Sequence, residues 1–192
     1  MIKNVNTIIP FWKKQHCYGC AACSSVCPTQ AITMQADEEG FVYPFLNTAL
    51  CLGCGLCREV CIIGNPPVTS RIPLATYAGI SKNRIALKKS ASGGVFAALA
   101  SLVLEHDGVV FGCAWNKEME PRHVCVGNSS NIKIEQLQGS KYVQSNVGNS
   151  YIQTKEYLEQ GRLVLYTGTP CQIAALKSYL GKQYENLLTA DL

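Results

Sequence analysis

The spacing of apolar and polar positions changes character near residue 70. Upstream, apolar stretches are short. Ala31–Met34 and Phe41–Tyr43 read as brief strands, with Asp37-Glu38-Glu39-Gly40 as the turn between them. Gly64-Asn65-Pro66-Pro67 reads as a linker. Downstream, the apolar runs lengthen and alternate between helical and strand-like patterns. Val95–Glu105 predicts an almost wholly apolar, buried helix. Gly108–Ala114 and His123–Val126 predict strands, and Asn149–Gln160 predicts a more polar helix. Arg162–Thr167 reads as a buried strand, and Gly168-Thr169-Pro170 as a turn. Cys171–Leu180 reads as a helix whose first turn suits Pro170, and Asn186–Leu192 as a further strand.

Cysteine supplies what the short upstream pattern lacks. Of eleven cysteines in 192 residues, eight lie between Cys17 and Cys61. They form an internal repeat. Cys17-Tyr-Gly-Cys20-Ala-Ala-Cys23-Ser-Ser-Val-Cys27 recurs 34 residues later as Cys51-Leu-Gly-Cys54-Gly-Leu-Cys57-Arg-Glu-Val-Cys61. A disulfide scaffold spreads its cysteines irregularly, whereas two-residue gaps are ligand spacing. Each run has the form that presents three thiolates to one 4Fe–4S cluster and sends the fourth to the other. The assignment is Cys17, Cys20, Cys23 and Cys61 for one cluster, and Cys51, Cys54, Cys57 and Cys27 for the second. Paired C-x2-C knuckles also bind zinc, which stands as the competing metal. Pro28 follows Cys27, but Ile62 stands at the equivalent place after Cys61, so one turn loses the φ restriction of proline.

Composition and charge narrow the class. Apolar residues make up 47% and charged residues 16%, which excludes a mostly disordered chain. The net charge of +4 belongs to residues 71–192, with thirteen Lys/Arg against nine Asp/Glu; residues 1–70 carry four of each. No basic stripe with interleaved aromatics appears, so nucleic acid is not an expected partner. Residues 1–15 lack the apolar core of a signal peptide, and Val95–Leu104 is too short to span a bilayer. The expectation is a cytoplasmic protein without membrane insertion. Two 4Fe–4S centres at about −2 each would bring the N-terminal region to about −4, facing a basic remainder. His16, His106 and His123 have no visible catalytic partner and read as surface or packing residues.

Three motifs follow residue 80. Ser90-Ala91-Ser92-Gly93-Gly94 precedes the apolar helix, where backbone N–H groups suit an anion or Ser92 serves as the N-cap. Gly139-Ser140-Lys141-Tyr142-Val143 sets a cation and an aromatic beside a flexible loop, or is a solvated turn. Gly168-Thr169-Pro170-Cys171-Gln172 joins a buried strand to a helix, a place where open sheets bind ligands. Cys171 there reads either as a thiol with a lowered pKa or as a small buried residue.

Together with the first cysteine run, Gly40-Phe41-Val42-Tyr43-Pro44 and Gly108–Gly112, these motifs resemble the coenzyme F420 hydrogenase/dehydrogenase beta-subunit family, from about Cys17 to Leu192. The resemblance implies an iron–sulfur flavoprotein with FAD, passing electrons between clusters and flavin and, in some members, to coenzyme F420. It implies an α+β ferredoxin-like two-cluster module at 1–70 followed by an α/β region. That region comprises a middle domain at 75–160 and the start of a C-terminal domain at 161–192, which family members continue further. It nominates Ser92, Gly93, Gly94, Lys141, Tyr142, Thr169, Pro170, Cys171 and Gln172 as cofactor-binding residues. The expected partner is a redox protein or small electron carrier. An electron-transfer module feeding a partner enzyme, with no substrate chemistry of its own, is the alternative.

Overall fold

A computed structural model describes residues 6–8, 13–66, 73–128 and 130–191, the backbone alone at 6–8. Pro67 of the expected linker and Leu192 of the last expected strand lie outside the described residues, as does most of the N-terminal stretch. The chain forms two compact units, Met1–Pro67 with Pro170–Gln183, and Val68–Thr169 with Tyr184–Leu192.

The first unit carries a three-stranded antiparallel sheet of β1 (Asn6–Ile8), β2 (Ile32–Ala36) and β3 (Val42–Asn47), in the order β1-β3-β2. The β2–β3 hairpin turns where the sequence places it. Asp37 Oδ1 accepts from the Glu39 and Phe41 N–H groups at 3.0 and 2.9 Å. β3 runs on through Pro44, opposite Met34, beyond the Phe41–Tyr43 segment that its alternation indicates. The cysteine runs flank this sheet with two one-turn helices, α1 (Ala22–Ser25) and α2 (Leu56–Glu59).

The second unit contains α3 (Arg84–Lys88), α4 (Val95–Glu105), β4 (Val109–Trp115), β5 (Pro121–Val126), α5 (Ser150–Glu159), β6 (Val164–Gly168) and β7 (Leu187–Asp191). Its sheet has the order β5-β4-β6-β7. β4 pairs antiparallel with β5 and parallel with β6, and β6 pairs parallel with β7. Where a boundary near residue 161 is expected from sequence, β6 and β7 continue the sheet begun by β4 and β5. The connecting helix α6 (Pro170–Leu180) groups with the first unit, where Ser178 Oγ donates to the Val60 carbonyl at 2.8 Å.

The second core is built from Val103, Val110, Val126 and Leu165 around the sheet. An aromatic stack centres on fully buried Tyr166, with Phe111 at 5.6 Å, Tyr151 at 5.8 Å and His123 at 5.1 Å between ring centroids.

Helix α4 corrects two expectations. It begins and ends where its pattern indicates, but only Ala97, Ala100 and Val103 are buried, while Val95, Leu99 and Leu102 lie exposed along the opposite side. A continuous apolar run hides which face meets the sheet. Its N-cap is Gly94 at φ 80°, with no side-chain cap, so Ser92 does not cap it. Gly93 is required by contact: a Cβ there would lie 2.4 Å from the Gly79 carbonyl oxygen, and the Gly93 carbonyl accepts from Ser81 N–H at 2.7 Å.

Candidate metal centre

The two cysteine runs fold alike, residue for residue. Gly19 and Gly53 have φ of 62° and 66°. Two residues on, Ala21 and Gly55 have φ of 62° and 83°, and each N-caps its short helix, with Val26 and Val60 closing them. The left-handed region suits glycine and costs other residues about 1–2 kcal/mol, so Ala21 is strained where Gly55 is not. These turns aim amide N–H groups at sulfur. Gly53 N donates to Cys51 Sγ at 3.4 Å, and Gly19 N–H bonds Cys17 at the equivalent place. Ala22, Ser24 and Arg58 N–H groups bond Cys20, Cys23 and Cys57.

Two cavities collect the eight thiols in crossed fashion. Cys17, Cys20 and Cys23 line the first together with Cys61 from the other run, among Lys14, Tyr18, Ala22, Met34, Tyr43 and Ile62. Cys51, Cys54 and Cys57 line the second together with Cys27, among Thr29, Ile32, Leu46, Leu52 and Leu56. The third cysteine of each run, Cys23 or Cys57, lies on the short helix, and the fourth follows the helix and lines the other cavity. Among the described residues, no three His, Cys, Asp or Glu side chains converge closely enough for a single metal ion. His16 is exposed and lines neither cavity. Four thiols around a cavity, with amide N–H donors aimed at the sulfurs, are the donor set and hydrogen-bond pattern that iron–sulfur clusters require.

The two cavities differ electrically. Burial pushes the Cys20 thiol up to about 11 and raises Cys17 and Cys23 as well. Cys57 is also raised by burial, while Cys51 and Cys54 are exposed. Cys27 goes the other way. Its desolvation is outweighed by hydrogen bonds from the Thr29 hydroxyl and from the Ala31, Thr29 and Ile32 N–H groups, so the thiol is lowered. A buried thiolate without a compensating cation is unfavourable, so the first cavity depends more on what it holds. Lys14 stands at that cavity, ion-paired to Asp37 at 2.7 Å and 4.8 Å from the Tyr43 ring centroid.

The residues nominated for a flavin are distributed between the units. Ser92, Gly93, Gly94, Lys141, Tyr142 and Thr169 belong to the second, and Pro170, Cys171 and Gln172 to the first. Within the second unit the two loops are neighbours. Gln138 Nε2 donates to Ser90 Oγ at 3.4 Å, and Lys89 pairs with Glu135 at 3.1 Å. Lys141 Nζ donates to the Gln136 and Gln138 carbonyls at 3.1 and 2.8 Å, while Tyr142 is 94% exposed. In the first unit Pro170 opens α6, Gln172 is buried, and Cys171 interacts electrostatically with Cys20. That proximity of Cys171 to a cluster-type thiol has no signal in the sequence, because 151 positions separate the two.

Residues 16–65 match a family model described as a 4Fe–4S dicluster domain. No curated protein matches the chain. The matched segment spans both cysteine runs and the hairpin between them, so this region is an iron–sulfur, ferredoxin-like module for electron transfer. Among the described residues no helix is long and apolar enough to cross a membrane.

Proposed function

We propose that Cys17, Cys20, Cys23 and Cys61 hold one 4Fe–4S cluster and that Cys27, Cys51, Cys54 and Cys57 hold the second. The chain then acts as an iron–sulfur oxidoreductase subunit that passes electrons to a redox partner. The observation that carries this reading is the crossed lining of the two cavities, three thiols from one run and the fourth from the other. Bound clusters supply one-electron transfer; the protein supplies the thiolates, the N–H donors that stabilise charge on sulfur, and partial exclusion of water.

A flavin is the finer part of the proposal. It rests on the resemblance to the coenzyme F420 hydrogenase/dehydrogenase beta-subunit family and on the adjacency of the Ser90–Gly94 and Gln136–Tyr142 loops. FAD in that unit would convert single-electron steps into a two-electron step, with coenzyme F420 as one acceptor class. The competing reading is a ferredoxin-like carrier with no substrate chemistry of its own, favoured by a family match confined to residues 16–65.

Anaerobic reconstitution followed by iron, sulfide and flavin analysis separates these readings. The proposal expects about eight irons with broad absorbance near 400 nm and bound FAD. About eight irons without flavin supports the carrier reading. A colourless protein containing zinc overturns both.

A further inference from the structure

The two cysteine runs fold alike up to their fourth cysteine and part there. After Cys27 come Thr29, Ala31 and Ile32; 34 positions on, after Cys61, come Ile63, Asn65 and Pro66. The first set donates to sulfur. Thr29 Oγ1 lies 3.7 Å from Cys27 Sγ, and the Thr29, Ala31 and Ile32 N–H groups bond the same sulfur. The second set has no matching donors at three of these places. Ile63 has no hydroxyl, Asn65 N–H donates to the Cys61 carbonyl at 2.9 Å, and Pro66 has no N–H.

Because the fourth cysteines cross, these donors serve the second cavity. Thr29 and Ile32 line it beside Cys27, whereas Ile63 lines the first beside Cys61. A sulfur that ligates iron is a thiolate and carries no proton, so the Thr29 hydroxyl is the donor.

The rest of the two cavities does not offset this difference. Gly19 and Gly53, and Ser24 and Arg58, give their N–H groups to matching cysteines of the two runs. Ala22 N–H at Cys20 and Cys57 N–H at its own sulfur add one donor to each cavity. Cations are matched too. Among the described residues Lys13 at the first cavity and Arg58 at the second have no carboxylate partner, while Lys14 at the first is paired with Asp37. Exposure acts in the same direction as the extra donors, since Cys51 and Cys54 are exposed and Cys20 and Cys23 are not. Reduction adds a negative charge to a cluster, and hydrogen bonds to its sulfurs and access of water both favour that charge.

We infer that Thr29 is a potential-setting residue that, with the Ala31 and Ile32 N–H groups, makes the cluster at Cys27, Cys51, Cys54 and Cys57 the higher-potential member of the pair. This ranking rests on the two-cluster assignment proposed above. A single electron shared by the pair then resides in the second cavity, on the side where Cys51 and Cys54 reach the surface. Its arrival there reduces one centre as it oxidises the other, with no bond made or broken.

The test is potentiometric EPR on the full chain with both clusters assembled, with iron analysis of every sample. The unsubstituted protein should be reduced in two one-electron steps. Thr29→Val removes the hydroxyl and keeps the shape. It should weaken the higher-potential step about three- to tenfold, or about 30–60 mV at 59 mV per tenfold, and leave the lower step in place. Thr29→Ser, which keeps the hydroxyl, should restore the higher step. A second readout needs no variant: in protein reduced by one electron, the paramagnetic NMR shifts of cysteine β-protons should change chiefly at Cys27, Cys51, Cys54 and Cys57. Steps unmoved by Thr29→Val, a shift confined to the lower step, a single reduction step in the unsubstituted protein, or NMR changes chiefly at Cys17, Cys20, Cys23 and Cys61 would overturn the ranking. With about eight irons present, those results leave the cluster assignment standing; unsubstituted protein that fails to hold about eight irons overturns both.

Discussion

The two units solve the problem of stability differently. Among the described side chains, the first unit buries Ala21, Ala22, Ala31, Ile32, Pro44, Val60 and Ile62 around the cysteine runs, and Ile173, Ala175, Leu176 and Leu180 on α6. The second buries Phe111, Tyr151, Tyr166, Leu165, Val103, Val109, Val110 and Val164 almost completely. Burial contributes roughly 25 cal/mol per Å2 of apolar surface, so the small side chains buried around the cysteine runs supply less than the aromatic rings of the second unit. Where the second unit has aromatic rings, the first has thiols around two cavities. Within the first unit the cysteine-run region is therefore built to be completed by what its cysteines bind, while the second unit is complete in its own side chains.

Removing the metal should break this symmetry most strongly. Structural metal sites contribute on the order of 10 kcal/mol to folding. Stripping iron with a chelator under acid or oxidising conditions should abolish amide-exchange protection across 20–62, while β4 and β6 keep theirs. Loss of protection in both units together would refute the division. The two halves of the first unit should also respond unequally. Cys51 and Cys54 are exposed whereas Cys20 and Cys23 are not, so oxidant should remove about half of the iron in a fast phase. Cys54→Ser should eliminate that phase and leave about four irons. In the second unit the corresponding blow is to the core. Phe111→Ala should cost about 3–5 kcal/mol in urea unfolding and leave iron content unchanged.

What was legible in the sequence divides along the same line. Ligand spacing is local, so the 4Fe–4S character of the two cysteine runs and the hairpin between them could be read from residue order. Strong patterns also located α4, α5, α6 and the parallel strands to within a residue or two. Long-range choices were not readable. Pairing of β1 with β3, the placing of β4 between β5 and β6, and the grouping of α6 with the first unit depend on contacts far apart in the chain. α3 is only five residues long and owes its start to Asn83, whose Oδ1 accepts from Ile85 and Ala86 N–H groups. His123 reads from the sequence as a surface or packing residue; in the fold it is buried and stacks on Tyr166. Its hydrogen bond to Ser145 has no sequence signature, since 22 positions separate them.

His123 gives the second unit a pH dependence of its own. Burial lowers its pKa from 6.5 to about 4. Between those values the unfolded chain binds a proton that the folded chain does not. Stability should therefore fall as pH drops from about 6.5 to about 4 and level off below, a loss of about 3 kcal/mol. Urea titrations at several pH values, followed by exchange at β4 and β6, measure this. His123→Gln should flatten the profile; an unchanged slope in that variant would assign the dependence to other groups.

The smallest effect tests whether the first unit's repeat carries stored strain. Ala21 and Gly55 occupy equivalent places with φ of 62° and 83°, yet only Gly55 is at ease there. Ala21→Gly should relieve about 1 kcal/mol of left-handed strain, offset in part by the greater freedom of glycine in the unfolded chain. Gly55→Ala, which meets no atom within 4 Å, should cost about the same by strain alone. Measured in the iron-loaded protein, the two substitutions should have opposite signs. If Ala21→Gly instead destabilises, the buried Ala21 methyl is contributing packing to the first cavity that outweighs its backbone cost. The two runs would then be unequal in packing as well as in exposure.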